Sequence, residues 1–441
     1  MPTLALSMIV RNGEKDIRGC LNSVRGIVDE VDIADTGSTD STKNIATETG
    51  ARVISIPWEN DFAKARNLAL KEVHTDWVLF LDADEQLDPA ASGYLPRLMD
   101  QKQVMGYLTS IRNYALSMQD RVWDRPAIPN DSSFEPAKKY PAYVEHENVR
   151  LFRRSSEIFF VGRVHETVGT SIEAAGGKLS PCPVLIHHFG LAADAETKVR
   201  KNHLYREMGR QKILEMPEHA QAHFELGLLE FDNFHQYEEA LRLFRRACEL
   251  NPGLSVSWFF AGMAHLKLGQ AEQALECLKS AGSRTFVFEA KGDAFYKLGQ
   301  FDHARRAYLR AFDGFKLPPD LESKIGLTEV RSGHVKSGVA RLRRAVERAP
   351  SEPRLHDRLV TALVWLDQMA EAANAAERKA EAVTPDPQAY LRAAVIWAQQ
   401  DDWKRSLEIL HRALTLFPHH QALEGILAEV LPRTLATKIS G

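Results

Sequence analysis

The feature that most constrains this chain is a change of grammar near residue 195. Beyond it the pattern is almost purely helical, and small residues recur on a fixed step. Gly262, Gly269, Ala274 and Ala281 are echoed by Gly292, Gly299, Ala304 and Ala311, then by Gly326, Gly333, Gly338, Ala345 and Pro350. A step of about 34 residues, with small side chains where two helices must touch, predicts stacked helix pairs, a helical solenoid. Ala240, Phe244, Ala247 and Pro252 form an earlier copy. Ala372 and Ala376, then Trp397, Leu410, Ala413 and Pro418, form two degenerate later ones. The step from Gly262 to Gly292 is only 30 residues, which predicts one shortened inter-repeat turn.

The first hundred residues follow another rule. Leu4–Val10, Val31–Ala34, Arg52–Ile56 and Trp77–Leu81 are short apolar runs that predict buried strands. Glu14–Arg25, Ser41–Thr49 and Ala63–Val73 between them carry apolar residues at helical spacing or end on a suitable glycine, Gly50. Such alternation predicts an α/β domain built on a mostly parallel sheet, with ligands at the carboxyl ends of the strands. Residues 106–190 are less regular, with short strands expected at Gly106–Tyr114 and Val149–Arg154 around a proline-containing loop, Arg125–Pro141. That loop reads equally as a lid over a site or as a surface excursion. The expected division is 1–194 for the α/β domain, 195–220 for a linking helix and 221–441 for the repeats.

Composition removes several function classes. The 441 residues carry 56 Lys and Arg against 59 Asp and Glu, so no general field draws the chain to nucleic acid or an anionic membrane. Cys20, Cys182, Cys248 and Cys277 are far apart and lack metal-site spacing, which predicts a reduced, cytoplasmic protein. The apolar run Leu4–Val10 is a strand and not a leader, and no run approaches the roughly 20 residues of a transmembrane helix. The turn after the first strand, Val10-Arg11-Asn12-Gly13-Glu14, is not the glycine-rich fingerprint of a dinucleotide-binding dehydrogenase.

The strongest chemical signal is Trp77-Val78-Leu79-Phe80-Leu81-Asp82-Ala83-Asp84-Glu85, an apolar strand that delivers two carboxylates at its carboxyl end. Side chains alternate along a strand, so Asp82 and Asp84 are expected to project to the same side. Paired hard oxygen donors at a sheet edge suit Mg²⁺ or Mn²⁺ with positions left for phosphate; a turn or helix-capping pair would use the same residues. Asp35-Thr36-Gly37-Ser38-Thr39-Asp40 stands at the end of the second strand, and Ala65-Arg66-Asn67 precedes the fourth. An arginine there suits phosphate or base-edge recognition through its planar fork.

In order and spacing, Met8-Ile9-Val10-Arg11-Asn12, Asp35–Asp40, Ala65-Arg66-Asn67 and Leu81–Glu85 resemble family 2 glycosyltransferases of GT-A fold. Gly162-Arg163-Val164-His165-Glu166 and Ile186-His187-His188-Phe189-Gly190 resemble motifs of bacterial members that carry C-terminal tetratricopeptide (TPR) repeats, which the period described above also resembles. The resemblance implies a nucleotide-sugar donor, UDP-linked by default, and a divalent cation. Residue by residue it implies Val10 lining the base pocket, Asp35 bonding the nucleoside, Arg66 steadying base or diphosphate, Asp82 facing ribose and sugar, and Asp84 binding metal. His188 either completes the metal or diphosphate site or is a buried structural histidine. Thr36 stands where many relatives have a second carboxylate, and Gly13 where an acidic residue is frequent.

Family 2 resemblance also implies an inverting displacement with one general base. Glu166 is the candidate, and Glu145 and Glu147 are rivals. The expected acceptor is a peptide, protein or glycan, with the repeats either presenting a polypeptide or serving for dimerisation and support. A TPR scaffold carrying an inactive sugar-nucleotide domain is the competing reading.

Overall fold

In the computed structural model the described residues are 2–118, 121–122, 125–190, 195–314, 317–383 and 386–439. They pack as two units, residues 1–253 and 254–441. The first unit begins β1 (Leu4–Val10), α1 (Ile17–Val24), β2 (Glu30–Asp35), α2 (Thr42–Glu48), β3 (Arg52–Ser55), α3 (Phe62–Leu70) and β4 (Trp77–Phe80), close to the predicted spans. β5 (Glu85–Leu87), α4 (Ala91–Met99), β6 (Val104–Ala115), β7 (Arg121–Val122), β8 (Arg125–Pro126), β9 (Ile128–Pro129) and β10 (Ala142–Arg153) follow. α5 (Gly169–Ala174), β11 (Lys178–His188), α6 (Ala195–Glu215), α7 (Ala220–Asp232) and α8 (Tyr237–Leu250) complete it.

The main sheet runs β3-β2-β1-β4-β10-β6-β11-β5. β1 is buried along its whole length because both faces are covered. Leu4, Leu6, Met8 and Val10 face a core with Ile17, Leu21 and Leu95; Ala5 packs with Ala63, Val73 and Phe160 in a core on the other side. The first four strands are parallel, with Val10 beside Asp35 and Ser7 beside Phe80, so their carboxyl ends form one edge. The rest is mixed: β10 runs antiparallel to both β4 and β6, and β5 antiparallel to β11.

The second half departs from expectation in its strand lengths. β6 and β10 are 12 residues each and pair along most of their length, where two short strands were predicted. The polar stretch Val144-Glu145-His146-Glu147-Asn148 hides the strand, because its partners are side chains and a long antiparallel neighbour rather than an apolar core. The ladder slips between Val149 and Leu151, a bulge that leaves Arg150 out of register. Bulges of this kind re-aim a side chain.

The second unit contains the pairs α9 (Ser255–Lys267) with α10 (Ala271–Ser280), α11 (Thr285–Lys297) with α12 (Phe301–Arg310), and α13 (Pro319–Arg331) with α14 (Val335–Arg348). α15 (Pro353–Trp365) with α16 (Met369–Ala382), α17 (Pro387–Gln399) with α18 (Trp403–Leu416), and α19 (Gln421–Ile439) follow. The repeated glycines are contact points. A Cβ on Gly262 would lie 2.8 Å from Leu278, and one on Gly292 would lie 2.4 Å from the Tyr308 ring. The 30-residue step has a different cause from the one predicted. Residues 251–254 and 281–284 are turns of equal length, whereas α10 has 10 residues against 14 in α8, so one turn of helix is missing. Among the described residues no helix is long and apolar enough to cross a membrane.

Candidate active site

The parallel strand ends bring the first group together. Thr36 holds β2 to β1 through its N–H and hydroxyl, which both donate to the Val10 carbonyl at 2.9 and 3.1 Å. Its hydroxyl therefore has a structural partner. Asp35 is buried, and its Oδ1 accepts from the Gly37 and Ser38 amides at 3.0 Å each. Its Oδ2 is buried without a partner. An orphaned carboxylate oxygen at a sheet edge is costly unless a ligand donor meets it. Asn12, at φ 53°, receives Thr39 N–H at 2.8 Å and donates its own N–H to Ser38, which ties the two loops. Gly13 lies where a Cβ would come within 2.9 Å of Val10 and 3.1 Å of Ala83, so a side chain there would press on the end of β1 and the carboxylate turn together.

The two carboxylates do not lie on a strand. β4 ends at Phe80, and residues 82–84 form a turn closed by the Glu85 amide donating to the Asp82 carbonyl at 3.0 Å. Strand alternation therefore does not reach them, and they take different partners. Asp82 accepts from Arg66 Nη2 at 2.7 Å and faces Arg150 at 3.9 Å. Burial opposes its ionisation, but Arg66 and Arg150 outweigh that and hold the carboxyl well below the usual range. Arg66 is buried, also donates Nε to Glu166 at 2.5 Å, and lies over the Phe80 ring at 4.8 Å. Arg150 pairs with fully buried Glu85 at 2.7 Å, and the second Glu85 oxygen accepts the Asp82 amide at 2.9 Å.

Asp84 turns to β11 instead. His188 Nε2 stands 3.5 Å from Asp84 Oδ2, while His188 Nδ1 lies 2.6 Å from Asn113 Oδ1. Asn113 donates Nδ2 to the Val144 carbonyl at 3.0 Å, which settles the orientation of its amide. Its oxygen can only accept, so His188 carries hydrogen on Nδ1. Burial opposes a second proton, but Asp84 outweighs it and raises the imidazole above its ordinary range. Nε2 therefore faces Asp84 as a donor and offers a lone pair only where a cation replaces that proton. Asn113 Nδ2 also meets His146 Nδ1 at 2.8 Å. Gly190 closes this corner: a Cβ there would lie 2.5 Å from Asp84 Oδ2 and 2.6 Å from His188 Nε2. Among the described residues no group of three or more His, Cys, Asp or Glu is arranged to hold a metal. The facing carboxylate and imidazole offer two donors, which fits a cation that takes its other ligands from phosphate and water. The adjacent His187, on the opposite strand face, is a buried structural residue held by Tyr114 at 2.7 Å and Asp88 at 2.9 Å.

The sequence model for glycosyl transferase family 2 matches residues 6–159, and tetratricopeptide repeat models match 190–255 and 256–281. Residues 6–159 are a family 2 glycosyl transferase domain. The chain is 33% identical over 201 residues to a TPR repeat-containing protein of Synechococcus elongatus, covering 44% of each protein. It is 25% identical over 167 residues to the SPbeta prophage-derived glycosyltransferase SunS of Bacillus subtilis, covering 37% of this chain and 34% of that one. An uncharacterized glycosyltransferase of Rickettsia typhi shares 40% identity over 87 residues, 20% of this chain and 30% of its own. The chain thus spans less than half the length of these curated relatives.

The transferase domain's other expected residues fall in two places. Glu166 joins the carboxylate turn through Arg66. It follows His165, at φ 51°, in a loop that lies just past the family match and is fastened by α6. Lys212 of α6, 4% exposed, donates to the Val164 carbonyl and to Glu225, both at 2.8 Å. Arg163 pairs with Glu215, and the Tyr205 ring meets the rings of Phe62 and His165 edge-on at 6.0 Å each. Asn67 adds a reciprocal pair of bonds to the Phe160 backbone at 2.7 and 2.9 Å. Glu145 and Glu147 lie apart on β10: Glu145 pairs with Arg112 at 3.0 Å, and Glu147 is exposed. The loop that includes Asp131 and Phe134 borders a groove of about 580 Å³ with Arg112 and His187. Arg150 and Asn113 were missed from sequence, as were the pairing of the motif residue Glu85 with Arg150 and the contribution of α6.

Proposed function

We propose that this protein is an inverting, metal-dependent glycosyltransferase that moves a sugar from a nucleotide-sugar, UDP-linked in the first instance, to a peptide or protein acceptor engaged by the repeats. The observation that carries this reading is the separation of the two carboxylates: Asp82 is bound by Arg66, whereas Asp84 faces His188 across 3.5 Å. Asp82, kept ionised, is available to ribose and sugar hydroxyls; Asp84 and His188 are available to a cation. The unpartnered Asp35 oxygen beside Val10 supports a nucleoside donor at the other end of the same edge. A Mn²⁺ or Mg²⁺ held by Asp84 and His188 would supply Lewis-acid neutralisation of the departing diphosphate.

Glu166 is the proposed base. Arg66 engages its Oε1 and holds the carboxylate within the Asp82 cluster, while Oε2 is available to take the acceptor proton. As the acceptor oxygen or sulfur attacks the anomeric carbon, its proton passes to Glu166, and the C–O bond electrons leave with the diphosphate. The TPR match supports a polypeptide acceptor, because stacked helix pairs present extended surfaces to chains.

A thermal-shift screen of UDP, GDP and dTDP with and without Mn²⁺, followed by hydrolysis assays of the matching nucleotide-sugars, tests this reading. Stabilisation by one diphosphate, strengthened by Mn²⁺ and accompanied by hydrolysis, is expected. Inertness to all of them would favour a scaffold with an inactive domain.

A further inference from the structure

Arg66 and Arg150, the two arginines nearest the carboxylate turn, are already committed. Arg66 serves Glu166 and Asp82, and Arg150 serves Glu85. Neither can take up a diphosphate without leaving a buried carboxylate unpaired, which is costly. Beyond the proposed metal ion, a side-chain cation for that purpose must come from elsewhere.

Helix α6 supplies one. Its C-terminal turns are fastened to the Glu166 loop by Lys212 and Glu215, and Tyr205 packs on His165 and Phe62. Lys201 lies four residues before Tyr205, hence on the same helix face, with Nζ 5.8 Å from the Tyr205 ring centre. Its side chain is exposed, and among the described residues its ammonium has no carboxylate within ion-pair distance. It still feels the site. Tyr205 foremost, then Asp84 and Asp82, raise the lysine above its ordinary range.

We propose that Lys201 completes the donor site as the cation that receives the terminal phosphate of the leaving diphosphate. This inference rests on the nucleotide-sugar reading above. When the glycosidic C–O bond breaks, its electron pair passes to the phosphate oxygen. A mobile ammonium with three donors can follow that oxygen, which a fixed guanidinium fork cannot. The transferase site then includes a residue beyond 194, the expected end of the domain, and within the segment matched by a TPR model.

Calorimetric titration of the full chain with UDP and UMP, in EDTA and in Mn²⁺, tests the assignment. Lys201→Met and Lys201→Gln should weaken UDP about tenfold while leaving UMP within about twofold, and Lys201→Arg should recover most of the loss. Equal losses for UDP and UMP, or none, would overturn it in a protein whose wild type binds UDP. A wild type that binds none of UDP, GDP and dTDP would sink the proposed function, and this inference with it. Because the side chain is exposed, both neutral variants should melt like the wild type, so a binding loss reports on the site.

Discussion

Arg66 Nη2 lies 2.7 Å from Asp82 Oδ1, on a guanidinium whose Nε is 2.5 Å from Glu166. One buried cation thus fixes the carboxylate proposed to face the sugar and the one proposed as base. Arg66→Met should destabilise the first unit by about 3 kcal/mol, toward the low end for a broken buried pair because Asp82 is partly exposed. Urea unfolding measures this. Arg66→Lys should recover only part of it, since an ammonium cannot span both carboxylates in one plane; full recovery would mean that charge alone matters.

Glu166→Gln keeps the shape and removes the negative charge. Transfer should fall by about 10² to 10⁴, while UDP affinity stays near wild type. An unchanged turnover number would remove Glu166 from the mechanism and turn attention to Glu145, which Arg112 holds on β10.

Asn113 acts on the proposed metal pair through the tautomer of His188. Asn113→Leu should weaken Mn²⁺ binding by about ten- to a hundredfold, the range for removing an outer partner of a ligating histidine. Mn²⁺ titration in the presence of UDP, followed by electron paramagnetic resonance, measures it. If Mn²⁺ affinity held while stability fell, the Asn113–His188 bond would be structural.

Burial first, then Arg150, His188 and Arg125, push His146 down from 6.5 to about 4. Between those values the unfolded chain binds a proton that the folded chain refuses, so stability rises with pH across the window and falls as pH drops from 6.5 toward 4. Urea midpoints measured from pH 4.5 to 7 should show this slope, and His146→Gln should flatten it. Identical slopes in the two proteins would place the titration elsewhere.

In the repeats, Gly292→Ala puts a methyl 2.4 Å from Tyr308. Overpacking of this kind costs about 1–3 kcal/mol, so the second unit should melt earlier while UDP binding is unchanged. An unaltered melting profile would show that Tyr308 can shift freely, despite its hydroxyl bond to Asp293 at 2.7 Å.

The strand-end positions of Asp35, Asp82 and Asp84 were legible because parallel βα units end their strands in short turns, where local pattern and position coincide, whereas Arg66 was legible from its motif on α3. The helix pairs were legible for a similar reason: Gly262 and Gly292 recur because adjacent helices must touch, which is a local demand. Arg150 and Asn113 left no such mark. Arg150 reaches Glu85 only because the β6–β10 ladder slips, and Asn113 reaches His188 only because β6 lies between β10 and β11. The motif Asp82-Ala83-Asp84 also looked like one pair on one strand face. Its division between Arg66 and His188 follows from a turn after Phe80 and from neighbours 16 and 104 positions away in the chain. By itself the sequence determined the two architectures and the carboxylate-bearing edge, since both follow from short-range periodicity. Tertiary structure alone decided which charge each carboxylate meets and brought α6 to the site, because those contacts depend on sheet order and helix packing across large separations.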